Sequence, residues 1–133
     1  MILVDSSVWI DYFRGTQNPQ TDQLDTLLEQ ADDDLGVADL VVFEVLRGFA
    51  SPTEQQRAKA VLLNATVVEI GGLDNALFAA EHHRALRARG YTIHSPIDVL
   101  LASYCITHGH TLLHRDADFD VMETLRGLKA WPH

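Results

Sequence analysis

Four apolar runs in this chain are too short to be helices, and stretches of helical spacing separate them. The runs are Ile2-Leu3-Val4, Leu35 to Val37, Ala65 to Ile70 and Thr111-Leu112-Leu113. Short runs bounded by turn-forming residues read as strands, and strands that alternate with helices predict a parallel sheet. Helices are expected at Val8 to Arg14, Asp22 to Ala31, from after Asp39 through Val41 to Arg47, Thr53 to Asn64, Leu73 to about Arg89, and Pro96 to about Thr107. Ser6 or Ser7, Thr21 and Asp39 supply N-cap oxygens for the first three, and Pro96 after Ser95 opens the last. Gly15, Gly48 and Gly90 close helices. Asp32-Asp33-Asp34 reads as a solvated loop, and Asp116 to Asp120 as an acidic loop leading to a short helix around Phe119 to Leu125. The expected fold class is α/β, a central parallel sheet flanked by helices in three layers. Ligands of such folds gather at the carboxyl ends of the strands, where Asp5 and Asp116 stand.

At 133 residues the chain has the length of one domain, taken as 1–133, with no repeat and no long linker. Hydrophobic residues make up 47% and charged residues 22%, which excludes a disordered chain. The one cysteine, Cys105, lies in the apolar run Val99 to Ile106, so it reads as a core residue in a reducing cytosol rather than a nucleophile. No charged leader precedes a long apolar stretch, and a cytoplasmic protein without membrane contact is expected. The net charge of −9 opposes non-specific RNA binding and favours a basic protein partner.

Four carboxylates stand where apolar residues would be expected. Asp5 ends a strand, Glu44 interrupts Val41-Val42-Phe43 and Val45-Leu46, Asp98 is the one charge from Ile97 to Ile106, and Asp116 follows another strand. Burying an unpaired carboxylate is very costly, so four of them call for a shared explanation. Hard divalent cations supply it, since Mg²⁺ and Mn²⁺ prefer oxygen ligands. Each residue also has an ordinary role open to it. Asp5 can cap the first helix, Glu44 can pair with Arg47 for about 0.2–0.5 kcal/mol, Asp98 can complete a capping box with Ser95, and Asp116 can serve a turn.

The segment Ile2 to Ile10 resembles the opening of PIN-domain proteins of the VapC toxin family. Glu44-Val45-Leu46-Arg47-Gly48 is similar to that family's second motif, Pro96-Ile97-Asp98 to its third, and Leu112 to Phe119, with its D-x-D-F, to its fourth. The match spans nearly the whole chain in the family's order. It implies a PIN-like three-layer sandwich and a quartet of Asp5, Glu44, Asp98 and Asp116 holding one or two Mg²⁺ or Mn²⁺ ions. Ser7 is implied as a polar neighbour that orients a carboxylate, and Asp118 as a supporting acid unless it simply begins the last helix. Ser6 and His114 depart from the threonine more often found at both positions. The resemblance further implies a type II toxin: an endoribonuclease that cleaves RNA phosphodiester bonds with metal-activated water and is neutralised by a VapB-like antitoxin. The alternative is a PIN-like module that has lost catalysis and only binds protein or RNA.

Other chemistries fit less well. His108, His110 and His114 invite zinc, but no cysteine ligand accompanies them. An aspartyl phosphotransferase needs a second Asp two residues after the first, where this chain has Ser7. Arg84, Arg87 and Arg89 form the densest basic group, equally suited to an RNA track or a solvated helix face. Trp9, Tyr12, Phe13, Phe43 and Phe49 are more aromatic surface than one small core needs, and predict a homodimer.

Overall fold

The computed structural model describes residues 1–30 and 34–132. Among these, five strands and seven helices follow one another: β1 (Ile2–Val4), α1 (Ser6–Arg14), α2 (Pro19–Gln30), β2 (Leu35–Ala38), α3 (Asp39–Leu46), α4 (Pro52–Leu62), β3 (Thr66–Val68), α5 (Leu73–Ala88), α6 (Pro96–His108), β4 (Thr111–Leu113), α7 (Ala117–Arg126) and β5 (Lys129–Trp131). All strand pairs are parallel, in the order β3-β2-β1-β4-β5. The chain therefore winds outward from β1 to β3, crosses back, and winds the other way through β4 and β5. Parallel crossovers are right-handed, so this reversal puts α1 to α4 on one face and α5 to α7 on the other. Helix packing divides the same way: α1 rests on α2 and α3, and α3 on α4, while α5 packs on α6 and α6 on α7. The α/β sandwich read from the sequence is the fold observed.

The central strands are the ones with uninterrupted apolar runs. Leu3, Val4, Val37, Ala38, Leu112 and Leu113 are fully buried, and β1 pairs with β4 in the register Ile2–Thr111, Leu3–Leu112, Val4–Leu113. The edges are weaker. The run expected to be a strand from Ala65 to Ile70 pairs only over Thr66–Val68, and β5 was not expected at all. Lys129-Ala130-Trp131 has no apolar run because an edge strand is held from one side only.

Cap assignments shift by one to three residues. Ser6 and Ser7 lie inside α1, and the cap is Asp5, whose carboxylate accepts the Ser7 N–H. Thr21 lies inside α2, which begins at Pro19 after Asn18; the Asn18 side chain accepts the Thr21 N–H at 2.8 Å and the Thr21 hydroxyl accepts the Asn18 N–H at 3.0 Å. Asp39 is the first residue of α3, not its cap. Its Oδ1 accepts from Leu40 N at 2.9 Å and from Ile70 N at 3.1 Å, tying α3 to the end of the β3 segment. Ser95 caps α6 as expected. Ala31, and Asp32 and Asp33 of the acidic loop, lie outside the described residues.

The aromatic residues behind the dimer expectation are mostly internal. Trp9 is fully buried, Phe13 stacks on it with centroids 6.0 Å apart, and Phe49 meets Phe13 edge-on at 5.8 Å. Only Phe43, at 58%, is widely exposed in that set. The more exposed apolar face is on α5, at Leu73, Leu77 and Phe78.

Leu112 is buried between two strand neighbours, whereas Lys129 occupies the exposed edge. Leu112→Ala should cost about 2–5 kcal/mol in urea denaturation and Lys129→Ala about 0.5 kcal/mol or less. Equal costs would contradict the strand order.

Candidate active site

At the point of reversal, here between β1 and β4, doubly wound sheets place their ligand crevice at the carboxyl ends of the strands. Asp5 enters it directly from β1. Its backbone N–H donates to Leu113 O at 2.9 Å, extending the β1–β4 ladder by one residue. Its carboxylate is only 3% exposed. Oδ2 accepts both the Ser7 hydroxyl at 2.6 Å and the Ser7 N–H at 3.2 Å, while Oδ1 is buried with no hydrogen-bond donor among the described residues. The helix-capping contacts thus fall on one oxygen, and Ser7 fixes the Asp5 carboxylate through it.

Asp116 mirrors Asp5 across the crevice. It is the N-cap of α7, and its Oδ1 accepts the Asp118 N–H at 2.9 Å. Asp118 lies in the first turn of α7 and supports Asp116 through its backbone N–H. Glu44 projects from α3, half-buried, with the Ser6 hydroxyl hydrogen-bonded to its carboxylate and Oε1 buried without a donor. The pairing with Arg47 does not form; the Arg47 guanidinium lies over the Phe43 ring, 5.6 Å from its centroid. Ser6 was expected only as a cap, and nothing in its spacing signalled that it reaches a helix forty residues on.

Asp98, in the first turn of α6 and 9% exposed, joins the set. Ser95 Oγ accepts its N–H at 3.3 Å, so the backbone half of the capping box is present. Burial pushes the Asp98 carboxyl up to about 7, with the charges of Asp5, Asp116 and Glu44 adding to it and the Ser95 hydroxyl opposing. Asp5 is raised by burial against the hydrogen bonds from Ser7, with a smaller push from Asp116. Glu44 is raised by burial and further by Asp5. The four predicted carboxylates are thus brought into electrostatic reach of one another, with Asp98 acted on by the other three. Among the described residues no cation acts on Asp5 or Asp98 from within the chain.

A family model of the PIN domain matches residues 2–125. The chain belongs to the PIN-domain family. Ribonuclease VapC11 of Mycobacterium tuberculosis and a VapC ribonuclease of Mycobacterium bovis are each 30% identical to it over 130 residues, 98% of this chain and 97% of theirs. This PIN domain therefore stands in the VapC family. Its fold is shared by FitAcB from Neisseria gonorrhoeae (TM-score 0.76, 19% identity, 99% of this chain and 97% of that one). VapBC2 from Rickettsia felis, solved with a promoter DNA fragment, is similar at a TM-score of 0.74 and 16% identity over 98% and 97% of the two chains.

The remaining basic and histidine groups separate cleanly. Arg84 pairs with Glu81 one turn away at 3.7 Å on the exposed face of α5, the solvated-face reading. Arg115, beside Asp116 and 45% exposed, is held by Asp11 of α1 at 3.1 Å. His108 and His110 lie against Tyr104, while His114 is buried against Phe119, so the three do not form one zinc site.

A carboxyl whose pKa is raised by folding keeps its proton longer in the folded chain than in the unfolded one. Stability conferred by that proton is full below about pH 4 and is lost as pH rises through about 7. Asp5 and Glu44 shift in the same direction. In chelator, the melting temperature should fall between pH 5 and pH 8. Asp98→Asn should recover on the order of 2 kcal/mol at pH 8 and little at pH 5. A flat profile in calorimetry would show that the carboxylates do not strain one another.

Proposed function

We propose that this PIN domain is the toxin of a toxin–antitoxin pair, a metal-dependent endoribonuclease whose site is Asp5, Glu44, Asp98 and Asp116. The observation that carries this reading is the convergence of three carboxylates on a fourth at the sheet's point of reversal, with no cation among the described residues to offset Asp5 or Asp98. Hard oxygen donors, two of them buried and lacking hydrogen-bond donors, suit a divalent ion, Mg²⁺ or Mn²⁺. A divalent ion bound there supplies activated water and stabilises charge on the scissile phosphate.

The chain's own groups do the positioning. Ser7 fixes the Asp5 carboxylate through Oδ2 and leaves Oδ1 to turn inward; Ser6 does the equivalent for Glu44. The Asp118 N–H holds Asp116. Arg115, propped by Asp11 beside the crevice, offers a guanidinium to an RNA phosphate in a protein otherwise unsuited to polyanions. No side-chain nucleophile is needed; burial pushes the Cys105 thiol up to about 12, in keeping with a packing role.

The antitoxin reading rests on a groove between α1 and α3, lined by Ile10, Phe13, Val45 and Phe49, with Arg14 at its rim. An amphipathic helix of a small basic, VapB-like protein fits its apolar lining, and a basic extension fits the acidic crevice. A homodimer through the α5 face and a cytoplasmic location complete the proposal; among the described residues no helix is long and apolar enough to cross a membrane.

Asp98→Asn removes a charge at nearly constant volume and should abolish RNA cleavage in a folded protein, a loss of at least about 100-fold on loss of a metal ligand. EDTA should act likewise, with Mg²⁺ or Mn²⁺ restoring activity. Cleavage at the parental rate by the purified variant would refute the site. Expression of the chain alone should arrest growth, and co-expression with a neighbouring antitoxin gene should yield an inactive complex. Harmless expression of folded, active nuclease would remove the toxin reading and leave the nuclease.

A further inference from the structure

Behind the quartet, where β4 turns into α7, lies a second knot of polar groups. His114 is buried, and its two ring nitrogens have different partners. Nδ1 accepts the backbone N–H of Asp116 at 3.2 Å. Nε2 lies at ion-pair distance, 3.5 Å from Glu123 Oε2 and 4.0 Å from Asp120 Oδ1, both on α7, rather than in hydrogen-bond geometry with either. Phe119 packs against the ring with centroids 4.9 Å apart, which fixes its plane.

One imidazole and two carboxylates have the composition of a metal site, and their ligand atoms lie within 4.8 Å of one another. The bond to Asp116 argues against that use. A ring nitrogen that accepts an N–H presents its lone pair and carries no proton, so the proton of the neutral ring sits on Nε2. An Nε2 that carries the proton has no lone pair for a metal and instead directs a donor at a carboxylate. Metal-bound histidine shows the reverse, its second nitrogen donating to an acceptor. Glu123 is the nearer and less exposed of the two acceptors.

We infer that His114 is a positioning residue for Asp116: the Glu123 carboxylate holds the ring as the Nε2–H tautomer, and the bare Nδ1 holds the Asp116 backbone N–H. The turn from His114 to Asp116 is thereby anchored to α7 at Glu123, and a second bond, Asp118 N–H to Asp116 Oδ1, sets the carboxylate itself. Its field then falls on Asp5 and Asp98. This inference deepens the proposed metal-holding role of the quartet and rests on it.

Ring ¹⁵N NMR of the full-length protein, with and without Mg²⁺, reads the tautomer directly. A protonated Nε2 and bare Nδ1 are expected in both states, and an Nδ1–H tautomer would overturn the inference whatever the activity. Calorimetric titration with Mn²⁺ tests the consequence. His114→Leu should weaken binding about 10–100-fold, whereas His114→Asn, whose Oδ1 can accept in place of Nδ1, should stay within about threefold of the parent. Both variants lose the ring's packing on Phe119, so a common drop in melting temperature cannot produce that split. Equal loss in both, or loss in neither, would overturn the positioning role. Glu123→Gln keeps an acceptor for Nε2–H and should leave Mn²⁺ affinity nearly unchanged; a lost ion there would mean that the trio is itself a metal site. Mn²⁺ binding indifferent to Asp98→Asn would remove the metal reading of the quartet and the role built on it, while the tautomer would still report the bond from Asp116 N–H to Nδ1.

Discussion

The pairing of β1 with β4 is the contact from which the other features of this PIN domain follow. These strands are distant in sequence, and their register, closed by the Asp5 N–H to Leu113 C=O bond, sets Asp5 and the Asp116 turn side by side. Because β4 joins the free side of β1, the sheet reverses there, and the crevice opens where neither layer of helices covers the strand ends. A sheet that continued from β3 on the same side would have kept the apolar runs and lost the site. Burial of Leu3, Val4, Leu112 and Leu113 is what holds this arrangement, so the hydrophobic core and the carboxylate cluster share one interface.

Opposed to that core is the charge gathered at its rim. Asp98 is placed by an apolar helix whose other inward residues, such as Leu101 and Ala102, are fully buried, and it cannot withdraw without unpacking them. The chain relieves part of the strain with neutral donors: Ser7 on Asp5, Ser6 on Glu44, Ser95 on Asp98 and the Asp118 N–H on Asp116. Hydroxyl and amide donors orient carboxylates without cancelling their charge, as the proposed cation-holding role requires. An arginine in their place would offset the carboxylates' charge and leave no need for a cation.

Much of this was legible in the residues. Central strands declared themselves because burial on both faces demands unbroken apolar runs, and carboxylates inside such segments had no inexpensive explanation apart from a shared ligand. β5 escaped notice because an edge strand with an exposed Lys129 carries no such pattern. The caps were misplaced for a different reason: Asp5, Ser6 and Ser7 are all competent, and the choice among them was made by β4, which fixes the strand end at Asp5. The aromatic residues of α1 looked surplus by count, yet ring stacking among Trp9, Phe13 and Phe49 absorbs them, a matter of side-chain direction that spacing does not encode. His114 was visible as a residue and opaque as a role, because its tautomer depends on a turn whose shape only the fold defines.

The strand order also has a consequence for how the protein is made. Domains begin to fold from the N-terminal side during synthesis, and here β1, β2 and β3 can pair as soon as Val68 has left the ribosome. At that stage β1 is an edge, Asp5 and Glu44 are in place, and two of the four carboxylates have yet to emerge. The α1–α3 groove, by contrast, is complete once Phe49 has emerged. A nascent chain thus presents the surface suited to an inhibitor some fifty residues before Asp98 appears and longer still before Asp116, so restraint can be in place before there is anything to restrain.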